Sequence, residues 1–219
     1  MPKKFKPPPF NYCDYRCDRC AEQENCRVFK DDQERLLQHY TKGEDPYDPE
    51  IFSNDLKQIF DKTKDMIKDM AIEQGINIDE AGDEEVSQQN PADYLVYRLA
   101  IEYYKTAHKF ISELQNQGIP ENMTENLEDL VWYHTLIAAK VGRLVSGFMD
   151  DYDEELQKTE EEGTLSVINK GVGLSQKALE NMLNELPDQF HSIANLLDLL
   201  RRLVTQLKTD IRQKTSEQS

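Results

Sequence analysis

The sequence predicts an all-α fold: a bundle of four to five long helices that follows a small N-terminal segment rich in cysteine. Apolar residues recur three and four positions apart over most of the chain, as they do on one face of a helix. Proline directly after aspartate or asparagine, and glycine further on, mark where these apolar stripes begin and end. No stretch of useful length alternates apolar and polar residues in the manner of a half-buried strand.

Five apolar stripes define the predicted helices. The first two begin at a capping residue followed by proline, Asp48-Pro49 and Asn90-Pro91, and a glycine closes each of them. The fourth contains Gly171 and Gly173, which weaken it, and the last follows a seven-residue pattern suited to bundle packing. They run from Pro49 to Gly75, from Pro91 to Gly118, from about Thr124 into the acidic stretch Asp150 to Glu162, from about Leu165 to Leu186, and from Pro187 through Ile211.

All four cysteines of the chain lie within fourteen consecutive residues: Cys13, Cys17, Cys20 and Cys26. This concentration predicts two domains. A Pro-rich arm and a metal-binding head occupy residues 1–30, and an acidic helical bundle occupies residues 31–219. The two also differ in charge, because residues 1–30 carry a net +3 whereas the whole chain carries −16, which leaves −19 on the bundle.

Charge and hydropathy exclude several classes of function. An acidic bundle repels phosphate backbones, so a nucleic-acid partner is not expected. The mean hydropathy is −0.76, and the most apolar stretch, Ile193 to Leu207, is interrupted by three charged residues, so no membrane span is expected. The N-terminus has basic residues but no apolar stretch of the kind found in signal peptides, and the expected location is the cytoplasm.

The cysteine spacing, C-x3-C-x2-C-x5-C, is compatible with three kinds of chemistry. Disulfides are typical of small secreted chains, which this sequence does not resemble. Structural zinc usually takes two well-separated pairs of ligands, and a second pair is missing here, although zinc remains the alternative. A [4Fe–4S] cluster needs four thiolates that converge from a compact loop, which four closely spaced cysteines supply. The preferred prediction is one [4Fe–4S] cluster held by all four cysteines.

The last three cysteines, C-x2-C-x5-C, resemble the end of the cluster loop of base-excision DNA glycosylases. They are also similar to part of the auxiliary-cluster domains of some radical-SAM enzymes. Both resemblances imply a [4Fe–4S] cluster and cover only the loop of about fourteen residues. The first three match the CxxxCxxC motif of radical-SAM enzymes, but the chain has no strands for their barrel, and Cys26 is close enough to bind the fourth iron.

A second motif, INKGVGLSQKAL at residues 168–179, resembles a DNA-binding helix-hairpin-helix, in which a turn at the two glycines binds phosphate. Lys177 occupies the place where that motif usually has alanine, and three glutamates lie shortly upstream. A turn or a close helix contact at Gly171 and Gly173 explains the glycines without DNA.

Four polar residues on the apolar stripes are candidates for a pocket inside the bundle: His108, His134, Lys140 and Arg143. Two histidines near carboxylates suggest metal binding, and two cations beside small residues suggest an anion site. Ferritin-like di-iron sites, however, need Glu-x-x-His on two helices, which the sequence does not contain. Packed histidines and solvent-directed cations are the alternative.

The predicted function is that of an iron–sulfur protein which transfers electrons or serves as an accessory subunit of a redox complex. Ligation by four thiolates leaves no iron open to substrate, so catalysis is not favoured, and an acidic surface suits docking to a basic protein partner. The first alternative is a zinc-binding interaction or regulatory module, and the second is a helical-bundle enzyme with a structural cluster. The sequence contains no Walker A loop or nucleophile elbow.

Overall fold

The structure, a computed structural model, describes residues 12–77, 90–118, 120–149 and 154–217. The predicted Pro-rich arm and residues 150–153 lie outside these ranges. Over the described residues the chain forms α-helices and short 3-10 turns, without a β-strand. The six helices of this part of the chain are α1 (Arg27–Lys42), α2 (Pro49–Glu73), α3 (Leu95–Gln117), α4 (Thr124–Met149), α5 (Glu154–Glu185) and α6 (Phe190–Glu217).

The predicted all-α class is confirmed, and the predicted number of four to five helices differs slightly from the six described. Helix α2 begins at Pro49 because the Asp48 carboxylate accepts hydrogen bonds from the first free backbone N–H groups. Helix α5 begins eleven residues before the predicted Leu165, since its glutamate-rich start is a good helix former despite its polarity. Helix α1 was not predicted, because most of its residues are charged or polar and carry no broad apolar stripe.

The chain divides into two compact units: one contains Met1–Tyr15 and Gln89–Ser219, and the other contains Arg16–Gln88. The predicted domain boundary at residue 30 falls inside α1, so this helix begins within the segment assigned to the head. No helix among the described residues has both the length and the apolar character needed to cross a membrane.

The first unit is a four-helix bundle of α3, α4, α5 and α6. Helix α3 packs against α4 and α6, and α5 packs against the same two helices, so each helix has two neighbours. The connections between successive helices span six, four and four residues, and such short connections join antiparallel neighbours. The core is built mainly from leucine, isoleucine and valine, together with alanine, methionine, phenylalanine and two tyrosines. Its most deeply buried residues include Tyr103, Tyr133, Ile137, Leu196 and Leu200.

Helix α5 is continuous through Gly171 and Gly173, so the turn of a helix-hairpin-helix is not present. A Cβ atom placed on Gly171 would lie 3.1 Å from side-chain atoms of both Tyr133 and Ile137 on α4. The absence of a side chain therefore lets α4 and α5 approach closely at this point. Gly173 has no neighbouring atom within 4 Å of such a Cβ.

The second unit contains α1 and α2, which are linked by charged side chains. Gly43 ends α1 in the left-handed conformation, with φ of 74°, and lets the chain turn toward α2. His39 contacts Glu44 through Nδ1 at 2.8 Å and Asp55 through Nε2 at 3.0 Å, and Arg35 also binds Asp55 at 3.0 Å. In the described part of this unit, these polar contacts rather than a broad apolar core join the two helices.

Candidate functional site

Three of the four cysteines lie at the ends of short turns. Cys17 begins a 3-10 turn, and the backbone N–H of Cys20 closes this turn by donating to the Cys17 carbonyl at 3.2 Å. Cys26 closes the next turn by donating to the Gln23 carbonyl at 3.2 Å, and α1 follows it directly. The Gln23 side-chain amide also donates to the Cys17 carbonyl, which connects the two turns.

Cys13 has a different environment, because its sulfur accepts a backbone hydrogen bond. The N–H of Tyr15 donates to Cys13 Sγ at 3.2 Å, and Tyr15 has a positive φ of 59°. A non-glycine residue rarely adopts this conformation, so the turn is a specific feature of the segment. Hydrogen bonds of this kind stabilise charge on sulfur and tune the potential of iron–sulfur centres.

All four cysteines are half-buried, and none of them forms a disulfide bond. In the described ranges, no group of three or more histidine, cysteine, aspartate or glutamate side chains is arranged to hold a metal ion. The donor set nevertheless fits a metal centre chemically, because thiolates are the ligands preferred by iron–sulfur clusters and by structural zinc.

Asp14, next to the first cysteine, attaches the N-terminal residues of the bundle unit to α4 and α5. The Tyr133 hydroxyl donates to Asp14 Oδ2 at 2.5 Å, and Lys170 Nζ lies 2.7 Å from the same oxygen. The Trp132 indole N–H donates to the backbone carbonyl of Asp14 at 2.8 Å. Asp14 is only 6% exposed, and a carboxylate at such depth requires charged and hydrogen-bonding partners. We call these four residues the Asp14 anchor.

Lys140 of α4 is a buried cation close to Cys13. Its Nζ lies 5.6 Å from the centre of the Tyr15 ring, and the residue is 6% exposed. Burial lowers the pKa of Lys140, and the positive charge of Arg143 lowers it further, whereas Cys13 and Glu160 act in the opposite direction. The first cysteine therefore lies within the electrostatic reach of a buried positive group.

The arginines beside the cysteines are paired with carboxylates. Arg16 is largely buried and binds Asp18 through two nitrogens, with Nη2 at 2.9 Å from Oδ2 and Nε at 3.0 Å from Oδ1. This hydrogen bonding lowers the pKa of Asp18. Arg19 approaches the same carboxylate, and Arg27 pairs with Asp31. Their charges are therefore partly compensated before any metal binds.

The four predicted pocket residues fall into two groups. The rings of His108 and His134 are stacked with their centres 5.8 Å apart, and the Tyr104 ring stacks on His134 at 5.5 Å. Burial lowers the pKa of His134, and its Nδ1 lies 2.7 Å from the Val131 carbonyl. Lys140 instead faces Tyr15.

Lys140 and Arg143 form the second group. Arg143 pairs with Glu160. A cavity of about 270 Å³ beside Tyr104 is lined by apolar and small residues such as Ile101, Ala138 and Gly142, and by none of the four predicted pocket residues. The structure therefore brings the two histidines together and gives each of the two cations a separate contact.

The Asp14 anchor is the feature that sequence analysis missed. Asp14 lies among charged residues near the N-terminus, where nothing in the sequence distinguishes a buried carboxylate from an exposed one. Trp132 and Tyr133 belong to an apolar helix, so their polar atoms give no sign of a partner more than a hundred positions away.

Comparison with known protein families, with curated protein sequences and with solved structures finds no match for this chain. The strongest chemical signal in those residues is the set of four thiols.

Proposed function

We propose that Cys13, Cys17, Cys20 and Cys26 bind one [4Fe–4S] cluster and that the protein is an electron-transfer or accessory subunit of a redox complex. The observation that carries this proposal is the presence of four half-buried cysteines, none of them in a disulfide bond, within fourteen residues. When bound, the cluster supplies one-electron redox chemistry. Iron–sulfur clusters are held by four thiolates, so the number of donors agrees with this group.

Two contacts around Cys13 support a metal ligand at this position. The Tyr15 N–H donates to its Sγ at 3.2 Å, and the buried Lys140 lies on the same side of the bundle unit. Four thiolates and a [4Fe–4S]²⁺ core carry a formal charge of −2, which a nearby ammonium group stabilises. The Asp14 anchor restrains the residue next to Cys13, and a restrained ligand loses less conformational entropy when metal binds.

The proposed role follows from the number of ligands and the charge of the protein. Four cysteine ligands occupy all four irons, so no iron remains open for substrate. The net charge of −16 favours a protein partner with a basic docking face. We place the protein in the cytoplasm, where thiols remain reduced.

Metal and sulfide analysis of protein purified without oxygen tests the proposal. We expect about four irons and about four acid-labile sulfides per chain, with no stoichiometric zinc. Cys20→Ser removes one donor and should lower the iron content strongly. Tyr12→Phe is the matched control, because Tyr12 is an exposed neighbour of the cysteines without a thiol, and its iron content should not change.

A zinc-binding interaction module is the second candidate, favoured by the two turns that begin or end at Cys17, Cys20 and Cys26. The Cys17-x2-Cys20 spacing is within the range of structural zinc ligands. About one zinc per chain without sulfide would establish this alternative and exclude the electron-transfer role. Absence of both metals from protein purified and reconstituted without oxygen would contradict both candidates.

A further inference from the structure

Helix α2 carries an apolar face that the described part of the chain leaves open. Every residue from 56 to 70 is exposed, including Ile59 at 53%, Phe60 at 68% and Met66 at 63%. Isolated exposed apolar residues are ordinary on protein surfaces, but a contiguous row along one helix marks an interaction surface. We call this row the α2 stripe; it consists of Phe52, Leu56, Ile59, Phe60, Met66, Ile67 and Met70.

The α2 stripe has the period of a coiled coil. Six positions follow a strict alternation of four and three residues, namely Phe52, Leu56, Ile59, Thr63, Met66 and Met70. Such spacing places these side chains on a single seam that suits a second helix. Phe60 and Ile67 flank the seam on one side, and Lys62 and Asp69 flank it on the other.

We propose that the α2 stripe binds the α2 stripe of a second copy of this chain, as an antiparallel helix pair with two-fold symmetry. In the proposed register Thr63 lies opposite Met66 of the second copy, and Ile59 lies opposite Met70 of the second copy. Two-fold symmetry repeats each contact, so the same surface serves both copies. We identify the binding partner as a second copy because each flank of the stripe can pair favourably with the same flank of an identical helix.

The flanking residues select the antiparallel orientation. In an antiparallel pair, residues on one flank meet the same flank of the partner helix, so Lys62 meets Asp69 of the second copy and Phe60 meets Ile67 of the second copy. Charge then pairs with opposite charge, and apolar side chains pair with each other. In a parallel pair, each flank meets the opposite flank, which places Lys62 against Ile67 of the second copy and Asp55 against Phe60 of the second copy.

The charges on α2, together with the contacts that Asp55 makes to α1, select the register. A shift of one heptad in either direction from the proposed register brings like charges together, either Lys62 against Lys62 or Asp69 against Asp69 of the second copy. A shift of two heptads pairs Lys62 with Asp55 of the second copy. Asp55, however, already binds Arg35 and His39, and its side chain is only 14% exposed.

Sedimentation of the full chain with its cysteines reduced, over a range from low to high micromolar concentration, tests the proposal. We expect a monomer–dimer equilibrium. Phe60→Asp should abolish the dimer, since it buries a charge against Ile67 of the second copy. Lys62→Glu and Asp69→Lys should each weaken the dimer by about tenfold, because two symmetric attractions become repulsions.

Mixing the two charge variants reports the orientation directly. A chain with Lys62→Glu and a chain with Asp69→Lys regain both attractive pairs only in an antiparallel heterodimer, so the mixture should dimerise as tightly as the unchanged protein. Lys68→Glu is the control, because Lys68 lies on the face of α2 opposite the seam and should leave the dimer unchanged. Circular dichroism checks that each variant retains its helix content.

Two outcomes would overturn the proposal. The first is a monomer at every concentration, which would mean that something other than a second copy covers the α2 stripe. The second is a dimer that the charge variants leave unchanged, or that mixing the two charge variants fails to restore, which would place the interface elsewhere or reverse its orientation.

Discussion

Helix α6 of the bundle and helix α2 of the other unit carry apolar stripes of the same period but have opposite surroundings. In α6, Ile193, Leu196 and Leu200 are completely buried, because α3 and α5 pack against them. In α2, Met66 and Met70 are more than half exposed. An apolar stripe therefore identifies a helix face that is able to pack. The stripe stabilises the fold only where neighbouring helices cover it.

The largest expected effect comes from removing a buried side chain of the bundle. Leu200→Ala should lower the free energy of unfolding by about 2–5 kcal/mol, because it removes a fully buried side chain and leaves a cavity. Met66→Ala should change it by less than about 0.5 kcal/mol in the monomer, since Met66 is 63% exposed. Urea denaturation at low protein concentration measures both.

If Leu200→Ala and Met66→Ala lowered the free energy of unfolding equally, the contrast between α6 and α2 would be wrong, because the α2 stripe would be as well packed as the bundle core. A second measurement of Met66→Ala, at high protein concentration, tests whether the stripe becomes buried in a dimer. The proposed dimer would then make this substitution more costly than at low concentration.

A smaller effect is expected from the carboxylates that tie segments together in each unit. Asp14→Ala should destabilise the bundle unit by about 2–3 kcal/mol, because the buried Tyr133 hydroxyl loses its partner and Lys170 loses its counter-ion. Trp132 is the only tryptophan in the chain and contacts Asp14. In Asp14→Ala, its fluorescence should therefore report the release of the residues around Asp14 at denaturant concentrations below the global transition. A Trp132 signal that is unchanged in Asp14→Ala would contradict the Asp14 anchor.

Asp55→Ala is the matched substitution in the other unit and should cost about 1 kcal/mol, because Asp55 and Arg35 retain some access to solvent. Burial by itself would raise the pKa of Asp55, but the hydrogen bonds from Arg35 and His39 outweigh it, so the pKa lies below its usual value. This contribution is therefore fully present at neutral pH, and it is lost as the pH falls from the ordinary pKa of aspartate through the lower pKa of folded Asp55.

The smallest effects concern Gly171 and Gly173 of α5, which differ in what surrounds them. Gly171→Ala should destabilise the protein by about 1 kcal/mol, since the new Cβ meets Ile137 and Tyr133 at 3.1 Å and Tyr133 is held by Asp14. Gly173→Ala should stabilise it by about 0.5–1 kcal/mol, because the site is open and alanine favours a helix. Thermal unfolding of the two variants should shift in opposite directions.

Much of the bundle could be predicted from local signals. The start of α2 at Pro49 agrees with the sequence, because the capping residue Asp48 acts on the backbone of its own turn, and α4 starts at the predicted Thr124. Helix α1 could not be predicted from apolar periodicity, because ion pairs such as Arg35–Asp55 join it to α2. The pairing of His108 with His134 was suggested by their stripes, but the separate position of Lys140 was not.

The sequence by itself determined that this chain is helical and that its four thiols are gathered in one short segment, because both depend on residues near one another along the chain. Only the tertiary structure decided which apolar stripes are buried and that Asp14 meets Tyr133 and Lys170. These contacts join residues more than a hundred positions apart. Their stability arises from excluding water between elements that meet only after folding.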